Sequence, residues 1–506
     1  MNKKTSFIAL ALLLSTTAGR AQNVSDKDKN AFARATSSLH GELELATQVA
    51  KEYNPLWLAS NDNGLSDAMG TDYSLAAYVG HEEYEKPYKW RLSWGLSLQA
   101  SLLPKNCFND STEPYFVIPQ AFVDVDYKKV RLTVGSKQKH EFELKGELTS
   151  GSQTFGNNAL PVPAVRFEIP EYIGIGKWIG IKGHFGYGIM TDGAWQQDYL
   201  EESAARYAKN VLLHTKAGYV RLGNEEVFPV TVEGGLEMAT QFGGTVYNYG
   251  EEKATIKMPA GISDFIKAVY SGGSDVTDGP YANAGGNTVG SWLFAVNYHG
   301  KGWGVKAYYD HFFEDHSQMF LQYGWFDGLT GLEVKLPENR FVSRVCYEHI
   351  KTTYQSGPIS HDHNEALPMQ ISGGDDYYNH VLYQGWQHFG QAMGNPLFFS
   401  PLFRNDATLR IDANRFVAHY VAFSGSPVKG LDYTLRYSYL TSWGNYNIPF
   451  ETERHQTSLG LHLDWTPERI GHLNLPGWGA FAAFGLDFGR IIHNNRGFIL
   501  GITKSF

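Results

Sequence analysis

The chain has 506 residues, of which 42% are hydrophobic, 14% aromatic and 19% charged, with a formal net charge of −9. That negative balance argues against a broad grip on nucleic acid. The mean hydropathy of −0.32, with no apolar run near ~18 residues, excludes a helical membrane protein. The many aromatics exclude a disordered chain, which leaves a few soluble domains or one large closed sheet.

Residues 1–21 read as a secretory signal. Lys3 and Lys4 give the positive start, residues 7–14 the apolar core, and Gly19-Arg20-Ala21 a small-residue cut site before Gln22. Residues 22–41 are then a short periplasmic segment, enough for one short helix. Only Cys107 and Cys346 occur. Export would permit a disulfide, but two separate thiols are the simpler reading, and without a CxxC pair neither a zinc ribbon nor a dithiol motif is available.

From residue 88 the chain alternates. Tyr88, Trp90, Leu92, Trp94, Leu96, Leu98 and Ala100 share one face; Lys89, Arg91, Ser93, Gly95, Ser97 and Gln99 share the other. Thirteen such residues exceed the usual soluble strand and suit a tilted strand crossing a membrane, which needs about 9–11. The alternation recurs at Ile179, Ile181, Phe185 and Tyr187, at Leu431 to Tyr439, and at Leu459, Leu461, Leu463 and Trp465. Charges on the second face need water or partners, which a polar lumen supplies.

In chain order the strands are expected near 42–49, 73–80, 88–101, 116–127, 129–136, 164–170, 178–189, 211–222 and 228–240. The remainder lie near 290–299, 303–312, 331–337, 340–352, 414–424, 430–442, 455–466, 478–488 and 496–506. Short links follow even-numbered strands and long stretches follow most odd-numbered ones, as in outer-membrane barrels. The expected fold is therefore all-β: an antiparallel transmembrane barrel over residues 42–506, of eighteen strands with sixteen as the alternative. Both termini lie in the periplasm, and long external loops partly plug the lumen. Phe498, Leu500, Ile502 and Phe506 share a face, and the aromatic last residue resembles the signal read by the barrel-insertion machinery. Lys504 departs from the usual apolar position there.

Candidate chemistry is sparse. Glu314-Asp315-His316 and His361-Asp362-His363 lack a second ligand set at a defined spacing, so they read as solvated loop rather than metal site. Asp375-Asp376 after Gly373-Gly374 reads as a turn, Gly174-Ile175-Gly176 lacks the third glycine of a dinucleotide fingerprint, and no GxSxG elbow occurs. No catalytic residue, metal or cofactor is assigned. Lumen charges of both signs (Arg91, Lys182, Arg344, Glu348, Asp432, Arg436, Asp464) point to internal pairing or contacts with inward-folded loops rather than a single-sign pore ring.

The loops carry Trp57, Trp195, Tyr199, Trp325, Phe326, Tyr377, Tyr378, Tyr383, Trp386 and Phe389. Aromatic faces beside Asp, Asn and Gln suit sugars, although most of these rings are expected to pack the plug. Trp57, Trp325, Asp375, Asp376, Tyr377, Tyr378 and Trp386 are the polysaccharide-binding candidates.

Several segments resemble the Wzi capsule-assembly family of outer-membrane proteins. They are Asn54-Pro55-Leu56-Trp57-Leu58 with Asn63-Gly64-Leu65-Ser66, Ser150-Gly151-Ser152 with Asn158-Ala159-Leu160-Pro161-Val162-Pro163, and Gly235-Leu236-Glu237 with Gln241-Phe242-Gly243-Gly244. Phe313-Glu314-Asp315 and Asp327-Gly328-Leu329-Thr330-Gly331-Leu332 follow. The densest run is Gln355-Ser356-Gly357-Pro358, Gly374-Asp375-Asp376-Tyr377-Tyr378-Asn379 and Gly394-Asn395-Pro396-Leu397. The resemblance implies an 18-strand barrel blocked by loops, a non-enzymatic surface lectin that attaches capsular or exo-polysaccharide. The family's periplasmic helical bundle has no counterpart in the short segment before residue 42. The alternative is a porin or sugar-uptake channel.

Overall fold

The computed structural model describes residues 34–36, 38–66, 70–101, 115–139, 142–270, 286–314, 319, 325–337, 339–357, 374–404 and 408–506. The signal segment, Cys107, Asp315-His316 and His361-Asp362-His363 lie outside them. Eighteen antiparallel strands form one closed sheet. They are β1 (His40–Ala50), β2 (Asp72–His81), β3 (Trp90–Ser101), β4 (Tyr115–Tyr127), β5 (Val130–Ser136), β6 (Ala164–Ile175), β7 (Ile179–Ile189), β8 (Leu212–Leu222) and β9 (Val230–Phe242). The second half is β10 (Asn287–His299), β11 (Gly304–Glu314), β12 (Gly328–Lys335), β13 (Arg344–Lys351), β14 (Phe416–Val428), β15 (Leu431–Gly444), β16 (Pro449–Trp465), β17 (Trp478–Gly489) and β18 (Arg496–Ser505). Each strand pairs with the next, and β18 returns to β1 with Leu45 opposite Ile502. The Gly41 and Phe506 backbones exchange bonds of 3.4 and 2.9 Å at the seam. Closure leaves no sheet edge unpaired.

All eighteen expected strands are present, with local differences. β6 runs on to Ile175, and β12 begins at Gly328. The expected link 443–454 is largely strand: β15 and β16 extend to a four-residue connection, 445–448. Residues 451–455 are all exposed. A hairpin arm standing clear of the wall has no apolar face to impose alternation, so its sequence lacks the period-2 signal.

The outer face is apolar: Leu45, Val165, Phe167, Phe294, Val296, Leu500 and Ile502 are exposed, as lipid contact requires. Trp90, Trp178, Trp303, Trp465 and Trp478 are the exposed tryptophans among the described residues. All five sit at the short-turn end and form an aromatic girdle. Lys504, on this outer face, reaches the Pro476 carbonyl at 2.9 Å and lies 5.1 Å from the Phe506 ring. A lysine is tolerated here because its head escapes to the rim.

Helix α1 (Gly193–Tyr199) lies in the connection between β7 and β8. Helix α2 (Ile262–Tyr270), in the connection between β9 and β10, lies against the outer wall near the long-loop end. Phe265 packs on Tyr187 and Phe242 at 5.1 Å each, and the Tyr187 hydroxyl donates to the Phe265 carbonyl at 2.8 Å. Residues 53–59, 144–159 and 377–403 turn inward, and the main hydrophobic core is this plug packed against the inner wall.

Candidate functional site

The plug is held by carboxylates that the strand period aims inward. Glu348 of β13 accepts from Thr149 Oγ1 (2.5 Å), the Ser150 amide (3.0 Å) and the Tyr308 hydroxyl (2.6 Å). Asp310 of β11 binds Lys145 Nζ at 2.6 Å and the Gln153 amide at 3.1 Å, and Glu333 of β12 accepts from the Leu148 amide at 2.8 Å. Lys182 pairs with Glu143, and Arg344 with Glu147 at 2.6 Å. Lys182, Arg344 and Glu348 of the mixed-sign lumen thus form a binding surface for residues 143–154. Lys145 pairs with Asp310 and Arg344 with Glu333, while Glu348 is held by three hydrogen bonds without a cation.

On the adjoining wall, β14–β17, a one-turn 3₁₀ helix, Leu56–Leu58, enters the lumen. Trp57 donates from its indole to Ser438 Oγ at 3.1 Å and packs on the Tyr420 ring at 5.0 Å. The Leu56 amide donates to Asp487 at 3.0 Å, and His462 Nε2 lies 2.8 Å from the Trp57 carbonyl oxygen.

The third anchor is the connection between β13 and β14. Tyr378 stacks on Phe398 at 3.9 Å, its amide donates to Glu314 Oε1 at 2.5 Å, and its hydroxyl donates to the Gln153 carbonyl. Trp386 donates from its indole to the Thr154 carbonyl at 2.8 Å. Gly385 and Gly394 are obligatory: a Cβ would fall 1.9 Å from the Tyr378 carbonyl oxygen and 1.8 Å from its hydroxyl. Tyr377 packs edge-on against Phe312 at 4.9 Å.

This placement corrects the candidate set. Trp57, Tyr377, Tyr378 and Trp386 are 0–2% exposed, and none of them presents a face to a polymer at the cell surface, although Trp386 also lines an internal cavity. They hold the plug. Trp325 is half-buried on the outer wall, stacked on His311 at 4.7 Å and beside Phe294 at 5.7 Å. Asp375 and Asp376 border the surface at the long-loop end. Asp375 accepts from Ser356 Oγ at 2.7 Å, while Asp376 accepts from Asn379 (3.0 Å), Asn414 (2.5 Å) and Asn447 (3.4 Å). Burial pushes the Asp376 carboxyl above the usual range, against its three amide donors.

Around Asp376 lies a patch that the sequence reading largely missed. Phe326, 57% exposed, packs edge-on against Tyr354 at 5.0 Å. The Tyr446 hydroxyl donates to the Tyr354 carbonyl at 2.8 Å, and the Arg415 guanidinium lies 3.9 Å over the Tyr446 ring. Asp327 beneath it accepts from the amides of Tyr354 (3.0 Å) and Gln355 (2.7 Å). Half-exposed rings beside amides, a carboxylate and a guanidinium offer an apolar platform with donors and acceptors at its rim. Tyr354 and Tyr446 stand just beyond strand ends in the sequence, and an aromatic at such a position was the available signal. Among the described residues, no three or more His, Cys, Asp or Glu side chains are grouped to hold a metal.

No family model and no curated protein matches the chain. Among solved structures, Wzi of Escherichia coli superposes with a TM-score of 0.53 at 14% identity, over 91% of this chain and 83% of that one. The chain shares its closed outer-membrane barrel fold. Wzi is described as an outer-membrane protein involved in group 1 capsule assembly and a carbohydrate-binding barrel. OpdQ and OpdK of Pseudomonas aeruginosa, both 8% identical over 92% of this chain and 98% of theirs, give TM-scores of 0.47 and 0.46. Likeness at that level carries no argument. What the comparison with Wzi supplies is architecture, not activity.

Proposed function

We propose that this protein is a non-enzymatic anchor for capsular or exo-polysaccharide in the outer membrane of a Gram-negative bacterium. Residues 1–21 direct export, the termini lie in the periplasm, and the terminal Phe506 engages the barrel-insertion machinery. The long-loop end faces the cell exterior. The observation that carries the reading is the plug: the inward connections spend their aromatic bulk on filling the lumen and leave an aromatic and polar patch at the long-loop end. Phe326, Tyr354, Asp376, Arg415, Tyr446 and Asn447 form its glycan platform, with Asp375 and Trp325 at its margin. Each contact is weak, but a repeating polymer that engages many barrels gains avidity through effective concentration.

Deleting the gene should leave polymer secreted but shed into the medium, with the Phe326→Ala/Tyr446→Ala double variant intermediate. Unchanged cell-bound polymer in the deletion strain overturns the reading.

One observation favours a porin or sugar-uptake channel instead. A cavity of about 740 Å3 separates the plug from the β1–β4 wall, lined by Glu42, Glu44, Asp62, Asp72, Ser97 and Gln120 among others. A steady open current in planar bilayers supports this second reading, and a silent barrel supports the anchor.

A further inference from the structure

A separate cavity of about 140 Å3 lies between residues 137–163 and the inner wall of β6–β8. Among the described residues its charged lining is cationic: Lys137, Lys139 and Arg166 face it, and no carboxylate does. Lys137 is satisfied by Asp124 at 2.5 Å. Lys139 is not. It is half-buried, no carboxylate or carbonyl among the described residues bonds its ammonium, the Phe155 ring lies 5.1 Å away, and Glu237, Glu143 and Glu168 attract it only through space. Arg166 spends one terminal nitrogen on Glu168 at 2.5 Å and keeps its Nε buried without a hydrogen-bond partner. His184 lies against Phe155 at 5.3 Å and lines the same space.

Glu168 balances Arg166 from outside the cavity, but the Lys139 ammonium and the Arg166 Nε keep open donors that an anion in this space would fill. The surrounding protein and the neighbouring Arg166 hold the Lys139 ammonium below the usual lysine value, the strain a counter-charge would relieve. Phe155, Leu160, Val162, Leu213 and Trp386 give the lining an apolar wall, and Asn63, Asn157 and Thr215 add neutral polar groups. An apolar wall with cationic donors at one end matches a pyranose carrying a carboxylate or phosphate, because the ring has an apolar face and the anion takes the charge-assisted bonds. A neutral sugar would leave those donors unfilled.

We propose that this cavity is an anion subsite that takes the carboxylate or phosphate of an acidic sugar, with Lys139 and Arg166 as its donors and Phe155 as its apolar wall. The source of the sugar rests on the polysaccharide reading above; the anion site does not.

The test is calorimetric titration of the full-length barrel in detergent with glucuronate, inorganic phosphate and glucose, for wild type, Lys139→Gln and Lys139→Arg. Glucuronate should bind, weakening with added salt, and glucose should not. Lys139→Gln should lose about tenfold in affinity and Lys139→Arg should retain most of it. Phosphate binding as tightly as glucuronate assigns the site to the anionic group, and tighter glucuronate binding assigns it to the whole acidic sugar. No binding of either anion by wild type overturns the proposal, as does equal binding by wild type and a folded Lys139→Gln variant. Neither result touches the polymer-shedding experiment, so the two readings fail separately.

Discussion

Trp57 and Gly460 meet where the plug touches the barrel wall: a Cβ on Gly460 would stand 2.5 Å from the Trp57 Cβ. Gly485 on the adjoining strand is matched in the same way to Pro55, at 2.5 Å. The wall omits side chains where the plug inserts one. Introducing Val at Gly460 should displace the 3₁₀ turn, at the ~1–3 kcal/mol typical of overpacking. Planar-bilayer conductance should rise above wild type and the thermal midpoint in detergent should fall. A variant with unchanged current and midpoint would show that the contact does not hold the plug.

Trp386 serves the plug, not its surface. Trp386→Ala should remove ~3–5 kcal/mol of local packing and leave the Thr154 carbonyl without its indole donor. Amide exchange across residues 374–404 and 150–156 should quicken together while the strands stay protected. Exchange identical to wild type would return Trp386 to the list of ligand contacts.

Glu348 gathers three donors on one carboxylate. Glu348→Gln removes the charge and one acceptor, leaving at least one of Thr149 Oγ1, the Ser150 amide and the Tyr308 hydroxyl unpaired in a buried place. The expected loss is ~1–3 kcal/mol, read as a lower unfolding midpoint and protease sensitivity within residues 143–154. Glu348→Asp, which keeps the charge, should fall between.

His380 supplies a pH dependence. Its Nδ1 accepts from the amides of Leu382 (3.1 Å) and Tyr383 (3.2 Å), so it must stay neutral. Burial, with Arg206 close by, lowers it from 6.5 to about 3. A folded value below the unfolded one means that the unfolded segment binds the extra proton. The stabilisation is complete above pH 6.5 and declines as pH falls toward 3. The protection factors of the Leu382 and Tyr383 amides, corrected for the intrinsic pH dependence of exchange, should therefore fall over that window. His380→Gln, which cannot protonate there, should flatten the dependence. An equally steep curve in the variant would assign it to another group.

The strands were legible because a membrane imposes one rule on each residue. Lipid outside and a polar lumen inside force period-2 alternation, as at Leu431 to Tyr439, and short turns against long loops follow from the same topology. The rule failed where the membrane ends: residues 451–455 of β16 are all exposed and alternate nothing. The loop aromatics were legible as a class but not in their roles. Tyr377 and Tyr378 sit in an aromatic, polar run that looks like a sugar site, and only packing against Phe312 and Phe398 removes them from the surface.

The order of residues by itself determined the closed barrel, its eighteen strands and the inward direction of Glu348, Asp310 and Glu333, because alternation along one strand needs no knowledge of another. What fills the lumen was decided by tertiary structure alone. Trp57 meets Gly460, Thr149 meets Glu348, and Trp386 meets Thr154 across long separations in sequence, and a local period carries no information about which distant side chain will arrive.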